Sequence, residues 1–335
     1  MTTVRFLRLG LLFLALLSPL AASRAADAAF KVATCETEWR DPARDRVVPV
    51  KIYYPSDATA PCPVIVFSHG LGGSREGYRY LGEAWAAHGY ISVHVQHAGS
   101  DADAIRGLRM IENFRKAAAD PANAVNRPLD IRFAIDRLSA LNADDAFPLH
   151  GRMDLARLGV AGHSYGAFTT MAVTGARIPI LGDHPRCLDP RIKAAIAMST
   201  PATPGNEADA AFDAVRIPIF HMTGTEDGSP GKFLSATVDA VVGNTPPEAR
   251  RRPFDHTRNA PAYLLTFTGG DHMVFSGRMT GKRAKDAEFQ ALVCSGSNAF
   301  WDAYLKNDAS ALRWLETDGF AAALGKLGVF EQKHP

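Results

Sequence analysis

The chain has no large excess of either charge: 37 Lys and Arg stand against 35 Asp and Glu, a formal net charge of +2. That leaves no electrostatic footprint for nucleic acid or an anionic membrane. No G-x-G-x-x-G follows a strand pattern and no G-x-x-x-x-G-K-[ST] occurs, so no nucleotide cofactor is expected. No Gly/Ser linker, charge block or internal repeat divides the sequence, which reads as one domain. Cysteine is scarce, with four residues at 35, 62, 187 and 294. An oxidising compartment would permit two disulfides, in three pairings that the sequence does not rank.

What is present begins with Arg5 and Arg8, the apolar run Leu9 to Leu17, Pro19, and small residues around Ser23-Arg24-Ala25. These are the three regions of a secretory signal peptide. The run is about half the roughly 20 residues that a membrane span needs, so no stable membrane insertion is expected after cleavage. Residues 1–25 are read as the signal peptide, with cleavage near Ala25 or Ala26. Residues 26–335 are read as a single domain that is periplasmic or extracellular. Cleavage removes three arginines and no acid, taking the formal charge from +2 to −1.

Along the rest of the chain, strand and helix patterns alternate. Strands are expected at Val47–Tyr54, Val64–Phe67, Tyr90–Val95, Ile192–Met198, Val215–Met222 and Tyr263–Phe267. Helices are expected at Glu76–His88, Pro128–Leu141 and Lys285–Leu305. The fold class is α/β, a mostly parallel central sheet with helices on both faces. Residues 98–126 are polar and irregular, with a helical piece near Ile105 to Lys116, and long enough to cover a site in part as a lid.

The chemistry centres on Gly162-His163-Ser164-Tyr165-Gly166, a G-x-S-x-G between an apolar run and a helix pattern. A sharp turn there projects the Ser164 hydroxyl, and a side chain at either glycine would collide with a neighbouring element. Two loops after later strands supply the partners a serine nucleophile needs. Asp227 lies in Thr223-Gly224-Thr225-Glu226-Asp227-Gly228, and His272 in Gly269-Gly270-Asp271-His272-Met273. Ser164 is read as nucleophile, His272 as general base and then acid, and Asp227 as the carboxylate that orients the imidazole. Glu226 and Asp271 are read as solvated turn carboxylates. The oxyanion donors are assigned to the N–H of Tyr165 and of Leu71, in the loop Ser68-His69-Gly70-Leu71-Gly72-Gly73. Tyr78 and Phe275 are assigned to substrate binding.

At these residues the sequence resembles the α/β-hydrolase superfamily, and within it bacterial secreted dienelactone-hydrolase-like proteins related to platelet-activating factor acetylhydrolase. The resemblance rests on Val64 to Gly73, Gly89-Tyr90-Ile91-Ser92-Val93 and Gly162 to Gly166. It implies a serine esterase without a cofactor, acting on a small-molecule or lipid-like ester. Dienelactone hydrolases use a cysteine where this chain has Ser164. In platelet-activating factor acetylhydrolase the acid follows an earlier strand, and the matching segment here, Ile192 to Thr200, holds no carboxylate. Secreted polyester-cleaving hydrolases share the elbow and the triad order.

Other readings are weaker. His94 and His97, near Asp101 and Asp103, do not present both imidazoles on one strand face, and no Cys or Glu completes a ligand set, so no metal is expected. Arg250-Arg251-Arg252 reads as a solvated loop. An amidase or peptidase would use the same triad. A hydrolase-fold binding protein without activity is the alternative of another class.

Overall fold

The computed structural model describes residues 29–178, 181, 187–201, 209–228, 245–277 and 283–335. The expected signal peptide and its cleavage site lie outside the described residues. One nine-stranded sheet runs through the rest, in the order β1-β2-β4-β3-β5-β6-β7-β8-β9. Its strands are β1 (Val32–Asp41), β2 (Arg46–Pro55), β3 (Cys62–Ser68), β4 (Ile91–Val95), β5 (Met153–His163), β6 (Ile192–Met198), β7 (Ile219–Glu226), β8 (Ala262–Asp271) and β9 (Gly328–Lys333). The six strands from β4 to β8 in that order are parallel, while β1–β2, β2–β4 and β8–β9 pair antiparallel. The mostly parallel α/β architecture is the one expected and is consistent with an α/β-hydrolase fold.

The central strands are buried on both faces because each carries a continuous apolar run, as in β3, where every residue from Cys62 to Ser68 is buried. Alternate residues feed two cores. Val64 and Val66 join the one packed under helices α4 (Pro121–Asn142) and α5 (Tyr165–Val173), after the shorter α1 (Arg79–Ala87), α2 (Ala102–Ile105) and α3 (Met110–Ala119). Ile65 and Phe67 join the other, filled by Trp85 of α1 and by Phe300 and Trp301 of the long helix Asp286–Leu305.

Register fixes where chemistry can gather. Ser68 lies opposite Gly162, His163 opposite Met198, Met198 opposite Met222, and Glu226 opposite Asp271. The loops after β3, β5, β6, β7 and β8 therefore leave the sheet side by side, along the carboxyl edge where such sheets bind ligands.

The structure departs from the expected elements in several places. The helix expected from Pro128 begins at Pro121, capped by the Asp120 carboxylate on the amide of Ala122, and continues through Pro128. The strand expected at 215–222 is shifted to Ile219–Glu226, so Asp227 follows it directly. The edge strands β1 and β9 were not expected. All four cysteines are free thiols. Among the described residues no helix is long and apolar enough to cross a membrane.

Candidate active site

Ser164 sits at the turn between β5 and α5 with φ 57° and ψ −117°, a left-handed backbone that a non-glycine residue adopts only under constraint. The two flanking glycines supply it. A Cβ at Gly162 would strike the carbonyl of Gly166, and one at Gly166 would strike the carbonyl of Ser68 at the end of β3. The Ser164 amide is held by the Met198 carbonyl at 2.9 Å.

The hydroxyl of Ser164 lies 3.0 Å from His272 Nε2, and His272 Nδ1 lies 2.9 Å from Asp227 Oδ1. Because a carboxylate only accepts, Nδ1 carries the proton and Nε2 presents its lone pair to the serine O–H. Asp227 and His272 are buried. Burial, then the adjacent Arg250 charge, holds the His272 imidazole below the usual histidine range, against the opposing pull of Asp227. Burial acts to raise the Asp227 carboxyl, but Arg250 and the hydrogen bonds it accepts outweigh this and hold it below the usual carboxylate range. Its second oxygen, Oδ2, accepts from Ser199 Oγ at 2.5 Å and from Thr223 Oγ1 at 2.8 Å.

Arg250, expected in a solvated basic run, is instead buried, 3 % exposed. Its Nε lies 2.8 Å from Asp227 Oδ1 and donates to the Asp227 carbonyl at 2.7 Å. The rest of the guanidinium donates to the carbonyls of Ser199, Thr200 and Gly228. The neighbouring Arg251 pairs with Asp255 and Glu331 at the surface. Asp271 is likewise buried rather than solvated, because Arg283 reaches it at 2.9 Å. Glu226 is exposed and pairs with Arg283.

The loop after β3 lies against the serine. A Cβ on Gly70 would come within 3.4 Å of Ser164 Cβ. The amides of Leu71 and Tyr165 carry no hydrogen bond among the described residues, and Tyr165 opens α5, where first-turn N–H groups are free. Both N–H groups are thus available at the carboxyl edge, as oxyanion stabilisation needs.

Beneath that loop runs a buried polar network with no local signature in the sequence. Arg127 of α4 is fully buried and donates to the His69 carbonyl, to Ser68 Oγ at 3.1 Å, Ser100 Oγ at 2.8 Å and Thr169 Oγ1 at 3.0 Å. Its guanidinium stacks 4.5 Å from the Tyr165 ring centroid. His97 bridges Ser68 Oγ and Asp130, and Asp130 is paired with Arg44 and Arg46. Backbone bonds Gly72 to Ser100 and Ala102 to Gly73 stitch the segment 98–126 to the same loop. Among the described residues no group of three His, Cys, Asp or Glu could hold a metal ion.

Two assigned side chains lie behind the site rather than in it. Phe275 is fully buried against Phe267 and His163, with no surface for a substrate. Tyr78 is 7 % exposed and its hydroxyl is engaged by the Gly70 amide and by His163 Nδ1.

Residues 43–124 match the family described as platelet-activating factor acetylhydrolase, isoform II. The chain is similar to the platelet-activating factor acetylhydrolases. The platelet-activating factor acetylhydrolase of Canis lupus familiaris is 28% identical over 137 residues, which takes in 32% of this chain and 31% of that protein. The matched stretch thus spans about a third of the length of this curated relative. The family match takes in β2, β3, the loop that carries Leu71 and the stitched segment to residue 124, while Ser164, Asp227 and His272 lie beyond it.

Proposed function

We propose that the protein is a serine hydrolase of carboxylic esters that works through an acyl-enzyme on Ser164. The observation that carries the reading is the Ser164 hydroxyl on a strained strand-to-helix turn, 3.0 Å from His272 Nε2. His272 takes the serine proton as Oγ attacks the ester carbonyl, and Asp227 holds the imidazole in the tautomer that can accept it. The oxyanion that forms is met by the N–H groups of Tyr165 and Leu71. His272 then gives its proton to the leaving alkoxide. In the second half it activates water to cleave the acyl-serine, and Ser164 is regenerated.

A lipid-like or small ester is the substrate class supported by the similarity to platelet-activating factor acetylhydrolases. The N-terminal Arg5, Arg8 and Leu9–Leu17 pattern supports export to the periplasm or the exterior. The test is labelling of the purified protein with a fluorophosphonate, mass mapping of the modified residue, and turnover of p-nitrophenyl esters of graded acyl length. Modification of Ser164 with ester hydrolysis, both lost in Ser164→Ala, is the expected result. Unlabelled, folded protein with no ester turnover would overturn the reading in favour of a binding role for the fold.

A further inference from the structure

The acid of this site does not face the imidazole as a lone negative charge. Its Oδ1 is shared between His272 Nδ1 at 2.9 Å and Arg250 Nε at 2.8 Å. Both side chains of the Asp227–Arg250 pair are out of water, 0 % and 2 % exposed. The same guanidinium ties together two loops that leave different strands. It holds the carbonyls of Ser199 and Thr200 beyond β6, and those of Asp227 and Gly228 beyond β7. Ser199 is itself in a left-handed conformation, φ 52°, and from there its hydroxyl reaches Asp227 Oδ2.

We propose that Arg250 is a positioning residue of the site, which locks the β6 and β7 loops around Asp227 and supplies the acid with a buried counter-charge. The inference rests on the reading of His272 as the base. Its consequence follows from charge arithmetic. Asp227 and Arg250 together are neutral, so protonating His272 leaves a net positive charge in a site shielded from water. The other groups that face the imidazole offset it only in part. Ser164 and His163 are uncharged, His163 being held well below the usual histidine range by burial first and then by His272. Asp271, the neighbour on β8, pulls the imidazole the other way, but it shares Arg283 with Glu226 and acts on the ring less than Arg250 does. The base therefore stays unprotonated to lower pH than an Asp-paired histidine would, and the acid limb of activity extends downward. Without Arg250 the imidazolium gains an unshared carboxylate, and the limb moves up.

The test is direct titration of the His272 imidazole by NMR in protein labelled with ¹⁵N-histidine, its signals identified by their loss in His272→Asn. Wild type is compared with Arg250→Met, Arg250→Gln and Arg250→Lys, each checked for its fold by circular dichroism. The wild-type midpoint is expected below about 6.5, the unperturbed value. It should rise by about one pH unit in Arg250→Met or Arg250→Gln, and stay near wild type in Arg250→Lys, which keeps the charge. The acid limb of kcat/KM should move by the same amount, about tenfold in rate at a pH below the midpoint. Arg250→Lys, which cannot reproduce the planar fork, should lower kcat without moving the limb. A wild-type midpoint at or above 6.5, or an unchanged midpoint in a folded charge-removed variant, would overturn the proposal. Absence of fluorophosphonate labelling at Ser164 would instead strike the esterase reading, and leaves the NMR result to be judged separately.

Discussion

Tyr78 Oη lies 2.8 Å from His163 Nδ1, and this one contact joins the two halves of the site. His163 Nε2 must donate to the carbonyl of His272, 2.9 Å away, since a carbonyl only accepts. His163 Nδ1 is therefore the acceptor and Tyr78 the donor. Tyr78 in turn accepts the Gly70 amide at 3.1 Å. A directed chain of hydrogen bonds thus runs from the Gly70 loop to the His272 loop. Tyr78 holds φ 60° at the start of α1, a strained conformation for an aromatic residue.

Removing that hydroxyl strands two buried partners. Tyr78→Phe leaves the Gly70 N–H and His163 Nδ1 unsatisfied, which should cost about 1–3 kcal/mol of stability. Loosening of the loop beside Ser164 should lower kcat by between about 10- and 100-fold, with KM changed much less. Urea denaturation and steady-state kinetics on a p-nitrophenyl ester measure both quantities. A variant with wild-type kcat would show that the chain of bonds does not position the site.

Asp227 meets two partners at once, His272 and the buried Arg250. Asp227→Asn should reduce kcat by about 10³- to 10⁴-fold, since an amide no longer fixes the required tautomer. It should also destabilise the fold by about 3–5 kcal/mol, since a buried guanidinium loses its counter-charge. His272→Asn, by contrast, removes activity while leaving the Asp227–Arg250 pair intact, and its midpoint in urea should lie well above that of Asp227→Asn. Equal stabilities for the two would mean that the pair is not what holds the loops after β6 and β7.

What could be read in the sequence follows from locality. The central strands announce themselves because burial on both faces demands uninterrupted apolar runs such as Val64 to Phe67. Ser164, Asp227 and His272 stand out because each follows such a run in a glycine-containing turn. The edge strand β1 escaped notice because its exposed and half-buried residues alternate without an apolar run. Arg250 and Arg127 escaped for a stronger reason. The carbonyls and hydroxyls that bury Arg250 come from residues 199, 200, 227 and 228, and those around Arg127 from residues 68, 69, 100 and 169. A basic residue that only folding surrounds with acceptors carries no local pattern to distinguish it from a solvated one. Phe275 is the converse case. An aromatic residue near a strand end has the same local signature whether it lines a pocket or, as here, closes the core behind it.

The histidines predict how the fold responds to acid. His69, His94, His97, His163, His221 and His272 are all buried, and burial is the leading reason that each is held below the usual range, His94 and His221 at about 3. In the unfolded chain each would take up a proton near pH 6.5. Below that pH the unfolded state binds more protons than the native one, so stability falls as pH falls, and the loss continues until the native values are reached. Asp130, whose carboxyl burial pushes up, acts in the opposite sense, but it is one group against several histidines. Each of the five held far below the usual range, His69, His94, His97, His163 and His221, should cost about 1 kcal/mol between pH 6.5 and 5.5, so together they approach about 5 kcal/mol, a large part of the total stability of an ordinary domain. Urea titrations at pH 7.5, 6.5 and 5.5 would measure this, with the loss over the first interval expected at about a third of that over the second. Replacing His221, which has no hydrogen-bond partner among the described residues, by Leu should lessen the fall by about one histidine's share without touching the site. A flat profile from pH 7.5 to 5.5 would mean that the buried imidazoles accept protons in the native state, and the neutral His163 and His272 on which the proposed proton transfer depends would go with it.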